Sequence, residues 1–275
     1  MKRIWQMGEV ADSVRQAGLD RAAWTAIIPA AGEGSRLGYH RPKILYPLLG
    51  RPILHWLIDL LTPFCGKMVF VLSSQGEAEV APLIQERLGE QGATVIQERP
   101  TGMGDAVGLA RDVVTTPQAL VVWGDQVLLS PSTLANAIGL HTVQGAALTL
   151  ASVMRDPPYI RFERDGDERL LQVHQVREGE GGHLSGPGEN DCGLFLFRVA
   201  ALFPVLARGR EAGIGLGKET GEFNLLQVLP FFEQEPGGVM TLRIGAGLES
   251  MGVNTREEAE VAEKVLQERV NASPL

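Results

Sequence analysis

Cysteine is scarce in this chain. Its two residues in 275, Cys65 and Cys192, lie far apart and form no CxxC or Cys/His pattern. That excludes a disulfide framework and a cysteine zinc site, and both read as reduced structural thiols. His40, His55, His141, His174 and His183 show no metal-ligand spacing either, and read as surface or packing residues. Positive charge is also short: 25 lysines and arginines stand against 33 acids, a net −8, and no basic run concentrates them. Nucleic acid is thereby excluded as a partner. A small anionic ligand is not, because a local pair of cations works inside an acidic protein. Long apolar stretches are missing as well. Nowhere do about eighteen apolar residues run together, as a membrane helix needs. The first residues, MKRIWQMGEVADSVRQAGLDRAAW, carry acids and polar groups where a signal peptide has an unbroken apolar segment. The expectation is a soluble, cytoplasmic protein with no membrane partner.

What is there is alternation. Apolar runs of strand length are followed by segments of helical period: TAIIPA then PILHWLIDLL, KMVFVLS then EAEVAPLIQERL, ATVIQ then GDAVGLARDVV, ALVVWGD then STLANAIGL, and finally AALTLASVM. This is the mark of βαβ units and of a mostly parallel sheet covered on both faces. After Met154 the pattern changes. YIRFERDGDERLLQVHQV predicts a hairpin turning at Asp165-Gly166, GEGGHLSGPGEN an irregular loop, and DCGLFLFRV a further strand. TREEAEVAEKVLQERV predicts a helix with Thr255 and Glu258 spaced as a capping box. Trp56 and Phe64, inside apolar helical runs, read as core. With no repeat and no linker, the chain divides into an N-terminal extension, 1–22, and one domain, 23–275, with a hairpin and flap inserted at about 155–195. Met7 to Ala22 predicts an extra helix with Val10, Val14 and Leu19 on one side.

AIIPAAGEGSRLGYHRPKIL, residues 26–45, runs a strand into a glycine turn and adds two cations. Glycines at that place let a phosphate approach backbone N–H groups; a tight βα turn that binds nothing has the same composition. Gly32, Gly34 and Gly38 are spaced GxGxxxG, one residue off the dinucleotide fingerprint, and no Gly-Lys-Ser/Thr closes the loop as a Walker motif does. Ala30 and Ala31 leave room for a flat base or ribose. Arg36 offers phosphate a planar fork, and Lys43 a compact charge on a turn stiffened by Pro42.

AAGEGSR followed by PKIL resembles the signature of the sugar-nucleotide pyrophosphorylases, in particular the N-acetylglucosamine-1-phosphate uridylyltransferase domain of the bifunctional UDP-N-acetylglucosamine enzyme. Four more blocks follow in the family's order: IQERPTGMGDAV, VVWGDQVLL, TGEFNLLQVLP and MGVNTREEAE. The resemblance spans about Ala23 to Arg269 and implies an α/β, Rossmann-like three-layer sandwich, the nucleotide-diphospho-sugar transferase fold. It implies a Mg²⁺-dependent nucleotidyltransferase that joins a nucleoside triphosphate, UTP favoured, to a sugar 1-phosphate and releases pyrophosphate. By position, Ala30, Ala31, Gly32 and Gly34 would line the nucleotide, with Arg36 and Lys43 the catalytic cations on its phosphates. Gln97, Gly102 and Met103 would sit at the base, with Trp123 and Gly124 beyond them. Asp125 and Asn254 would ligate Mg²⁺, and Gln175, Asp191, Gly193 and Glu222 would meet the acceptor. The chemistry agrees: a carboxylate and an amide oxygen suit a hydrated Mg²⁺, and one glutamine amide matches the donor and acceptor of a pyrimidine edge.

Departures from the family gather on the acceptor side. Asp156-Pro157-Pro158-Tyr159-Ile160 lacks the glycines of a DPTGYG segment. Gln175 replaces a glutamate, Asp191-Cys192-Gly193 an Asn-Thr-Gly, and Phe223-Asn224 a Tyr-Tyr pair. Asp191 is expected to accept hydrogen bonds from hydroxyls. Met103 stands where threonine is usual, which leaves the triphosphate open. Two alternatives therefore stand: a cytidylyltransferase or other nucleotidyltransferase with a non-sugar phosphate acceptor, and a non-catalytic nucleotide-binding regulatory relative. No hexapeptide repeat follows, so one of the bifunctional enzyme's two reactions is the most that is expected. Oligomeric state is not encoded in any of these signals.

Overall fold

The computed structural model describes residues 2–14, 19–181, 185–245 and 247–272. The chain begins with strand β1 (Ile4–Gln6) and helix α1 (Met7–Val14), then enters β2 (Trp24–Pro29). Beyond the glycine loop come a short hairpin, β3 (Pro47–Leu48) and β4 (Arg51–Pro52), and α2 (Ile53–Leu61). β5 (Lys67–Ser73), α3 (Ser74–Leu88), β6 (Gly92–Gln97), α4 (Met103–Leu109), β7 (Gln118–Val122), α5 (Pro131–Gln144) and β8 (Leu148–Arg155) continue the alternation. Then follow β9 (Ile160–Arg164), β10 (Leu170–Gln175), β11 (Gly188–Arg198), α6 (Val199–Glu211), α7 (Leu225–Val228), β12 (Val239–Arg243) and α8 (Arg256–Ala272).

Helices begin where the sequence supplies caps. The Ser73 hydroxyl accepts from the Gly76 N–H at α3, and Ser130 accepts from Thr133 at α5, with Pro131 just inside. At α8 the capping box forms: Thr255 Oγ1 accepts from the Glu258 N–H at 3.2 Å, and Glu258 Oε2 accepts back from Thr255 N–H at 2.9 Å.

Among the described residues, the main sheet has the order β1-β12-β8-β11-β7-β2-β5-β6, and only β11 runs antiparallel to its neighbours. Side chains alternate faces along a strand, so neighbours in β2 enter different cores. Ala26 and Ile28 pack with α2, α3, α5 and α8, whereas Ile27 packs with α4, α6, α7 and the β9–β10 hairpin. Both layers are required because β2 is buried along its whole length. Fully burying one such isoleucine contributes about 2 kcal/mol.

Two expectations are corrected. The extension is not simply a helix over Met7 to Ala22. β1 adds a parallel strand to β12, α1 is described over Met7–Val14, residues 19–20 are not helical and lead into a short 3-10 turn at Arg21–Ala23, Val10 is buried and Leu19 is 42% exposed. The expected position of Val14 on an apolar side, and of His183 at the surface, lie outside the residues whose side chains are described. The hairpin at Asp165-Gly166 forms, but as a separate two-stranded sheet that packs on the second core. His141 is a core residue: its ring is held between Thr149 and Gln118, and burial pushes its pKa down to about 3. Both cysteines are buried and free.

Candidate active site

The carboxyl ends of β2, β6 and β7 open on one cavity of about 300 Å³, at the end of the sheet where α/β folds place ligands. Its floor is made by close backbone approach. Gly124 N–H donates to the Pro29 carbonyl at 3.1 Å, and a Cβ on Gly124 would stand 2.7 Å from that oxygen. The two loop glycines answer different needs. A Cβ on Gly34 would lie 2.9 Å from the Tyr39 carbonyl, so Gly34 serves the packing of the loop itself and faces a neighbouring cavity with Tyr39 and Arg41. At Gly32 a Cβ would meet only Lys43 Cε, at 3.7 Å, and Gly32 lines the main cavity with Ala30 and Ala31.

One wall is the segment from Gln97 to Met103. Gln97 Nε2 donates to the Gly102 carbonyl at 3.0 Å, which fixes the amide across the loop. Gly102 has φ +113, and a Cβ there would stand 2.4 Å from the Phe223 carbonyl, so only glycine fits. Phe223 is stitched to this wall from both sides, donating to Thr101 O and accepting from Gly104 N–H, each at 2.8 Å. Met103 and Trp123 complete the apolar lining, and Asp125 stands at the far end.

Below the loop the charges meet. The Lys43 ammonium lies 2.5 Å from Asp125 Oδ2 and 3.0 Å from Asn254 Oδ1, and Arg36 Nη2 donates to the same Asn254 oxygen at 3.3 Å. Asn254 is held by its own backbone, whose N–H donates to Glu258 Oε2 at 2.7 Å. Next to it, Val253 N–H donates to the Asp125 carbonyl at 3.1 Å, and a Cβ on Gly252 would lie 2.9 Å from the Asp125 carboxyl. Asp125 and Asn254 therefore already aim one carboxylate and one amide oxygen at a single cation. That donor set fits Mg²⁺, which keeps several waters and takes the rest of its shell from substrate phosphates. Among the described residues no group of three or more His, Cys, Asp and Glu gathers as an all-protein metal cage.

The four residues expected at the acceptor separate. Glu222 lines the cavity, paired with Arg177 at 2.6 Å. Asp191, Gly193 and Gln175 do not line it. The buried Asp191 carboxyl accepts from Gly193 N–H at 2.9 Å and from the Trp123 indole. Gly193 (φ +67) marks the bulge where β11 shifts register, and its carbonyl accepts from Trp123 N–H. Gln175 Oε1 accepts from Asn224 at 2.9 Å, leaving its buried Nε2 without a hydrogen-bond partner among the described residues. The sequence reading missed the apolar lining residues Pro29, Ile44, Pro100 and Ala106 and one charged one, Arg177, to which only its place two positions after Gln175 pointed.

A mostly parallel sheet with one antiparallel strand, covered by helices on both faces and opening at its carboxyl ends on a glycine loop, is a nucleotide-diphospho-sugar transferase fold. The chain belongs to the family of the MobA-like NTP transferase domain, whose model matches residues 26–187. It is 31% identical over 252 residues to the bifunctional protein GlmU of Heliobacterium modesticaldum, covering 90% of this chain and 52% of that protein. To the GlmU of Sorangium cellulosum it is 29% identical over 254 residues, with the same coverage. The chain thus spans about half the length of the curated relatives it matches. Among solved structures it is similar to a Bacillus anthracis protein assigned as a glucose-1-phosphate thymidylyltransferase, solved with sucrose. The TM-score is 0.67 at 16% identity, covering 88% of this chain and 96% of that one. Among the described residues, no helix is long and apolar enough to cross a membrane.

Proposed function

We propose that this chain is a Mg²⁺-dependent nucleotidyltransferase that couples a nucleoside triphosphate, UTP favoured, to a sugar 1-phosphate and releases pyrophosphate. The observation that carries it is the convergence of Lys43, Asp125 and Asn254 below a cavity lined by Ala30, Ala31, Gly32, Gln97, Gly102 and Met103. Gln97, anchored through its Nε2, keeps its carbonyl oxygen for a base-edge donor. The N–H groups and open backbone of the glycine loop face the phosphates. The acceptor's phosphate oxygen is already an anion at neutral pH, so no residue need form a covalent intermediate with the nucleotide. The protein's task is to hold two anionic groups in line and to offset the charge that grows on the α-phosphate and leaving group. Arg36 and Lys43 supply that charge from the chain; Asp125 and Asn254 would hold Mg²⁺, which when bound polarises phosphate oxygens.

A second reading keeps the transfer and changes the acceptor to a phosphorylated alcohol. It is favoured by the position of Asp191 and Gly193 behind Trp123, away from the cavity where a sugar would sit. One experiment addresses both: Mg²⁺-dependent pyrophosphate release from UTP, CTP, GTP, ATP and dTTP, each against sugar 1-phosphates and phosphorylated alcohols. Release specific to one triphosphate and one sugar phosphate supports the first reading. Release only with an alcohol phosphate supports the second. Arg36→Ala and Asp125→Ala should each lower turnover about a hundredfold, the usual cost of one preorganised charge contact; full activity in either overturns the site. No release anywhere, with a triphosphate still raising the melting temperature, would point to a nucleotide-binding regulator.

A further inference from the structure

Lys43 does not point into open solvent to await a phosphate. Its ammonium is already engaged, 2.5 Å from Asp125 Oδ2 and 3.0 Å from Asn254 Oδ1, on side chains that are largely shielded. These are the two oxygens that the proposed function gives to the metal. The second is oversubscribed, since Arg36 also donates to it. An amide oxygen approached by two cations, next to a carboxylate, is a cation site filled by the protein's own charge.

We propose that Lys43 is an internal stand-in for the metal. It closes the site in the nucleotide-free protein, so that a divalent ion enters only when a triphosphate draws the ammonium away. The inference rests on the nucleotidyltransferase reading given above. One carboxylate oxygen cannot serve both cations at close range, and in a partly buried site the two charges repel strongly. An ammonium on a four-carbon stem is the cation best able to step aside. The local chain permits this step. Lys43 is anchored through its backbone, whose N–H donates to the Gly32 carbonyl at 3.1 Å, so only the side chain needs to move. The stem crosses Gly32, where a Cβ would touch Cε at 3.7 Å, so it slides over bare backbone. Anionic phosphate oxygens lying along the glycine loop then give the ammonium a new partner. Metal and nucleotide would therefore bind with positive, reciprocal coupling.

The test is a Mn²⁺ titration of the full chain by electron paramagnetic resonance, without nucleotide and then with UTP. The proteins are wild type, Lys43→Met, which keeps the stem and removes the charge, and Lys43→Arg, which keeps a charge. Without nucleotide, Lys43→Met should bind Mn²⁺ about tenfold or more tighter than wild type, the value of a charge-assisted contact no longer competing. Lys43→Arg should bind as weakly as wild type, Mn²⁺ should raise the melting temperature of Lys43→Met more than that of wild type, and adding Asp125→Asn should abolish the gain. Should Lys43→Met not melt cooperatively, Lys43→Gln takes its place. Equal Mn²⁺ affinity in wild type and the uncharged variant overturns the proposal. If UTP still recruits Mn²⁺ to both, the nucleotidyltransferase reading survives that failure. If neither protein takes Mn²⁺ even with UTP, the metal assignment falls and the proposal with it.

Discussion

At the scale of single residues, Asp191 is a buried carboxyl away from the cavity, held by protein groups. Burial pushes its pKa up to about 6 from 3.8, while the Gly193 N–H and the Trp123 indole hold the rise back. A carboxyl whose pKa is raised by folding binds its proton more readily in the folded state. Its contribution to stability is therefore fully present below about pH 4 and is lost as pH rises through about 6. Asp191→Asn keeps the shape and removes the charge. It should melt higher than wild type at pH 7, by up to about 3 kcal/mol if both donors find the amide oxygen. The advantage should vanish near pH 4. Melting curves of both proteins across that range check this, and a constant difference would mean that the carboxyl does not titrate there. The expectation that Asp191 meets ligand hydroxyls came from its place in the chain. Its orientation was illegible because it depends on the β11 bulge and on Trp123, which follows a different strand, β7.

At the scale of elements, the start of α8 links a local motif to the site. Glu258 accepts from both Asn254 N–H and Thr255 N–H, so the group that caps the helix also holds the backbone of a cation-directed residue. Glu258→Ala should cost about 1–2 kcal/mol of stability, the value of a lost cap, and should also weaken nucleotide-dependent Mn²⁺ binding. Thr255→Ala loosens the same cap but leaves the Asn254 bond in place, so its loss should be confined to stability. Denaturation and Mn²⁺ titration of the pair would separate the effects; equal loss of metal binding in both would refute the division. This capping box was plain in the sequence, because its two members are three positions apart. So were the strands β2, β5 and β7, whose buried faces read as continuous apolar runs, and the helices between them. β1 was not. It is three residues long, and its partners Thr241 to Arg243 lie at the other end of the chain. The Arg177–Glu222 pair was hidden for the same reason, its members standing 45 positions apart. Contacts set by topology leave no local period to read.

At the scale of the whole molecule, β1 and the proposed site lie toward opposite ends of the sheet: β1 is at one edge, and β7, β2 and β6 belong to the other half. Besides its ladder with β12, β1 is tied down by the residue that precedes it. Arg3 donates to Glu233 Oε2 at 2.6 Å and to the Val239 carbonyl at 3.2 Å, with both charged side chains nearly buried. Glu233 in turn accepts from Leu170 N–H at 2.9 Å, at the start of β10. Edge strand, hairpin and β12 thus share one ion pair. Removing one member of a buried pair leaves the other uncompensated, at a cost of about 3 kcal/mol. Arg3→Ala should therefore lower the melting temperature by several degrees, and Glu233→Gln in the same chain should recover part of the loss by removing the stranded charge. A domain that unfolds as one cooperative unit feels that loss everywhere, yet the folded fraction keeps its β2, β6 and β7 ends intact. Nucleotide affinity of the folded Arg3→Ala protein, measured well below its melting temperature, should match wild type. If it falls in step with stability, the extension reaches the site through the sheet and is part of the functional unit.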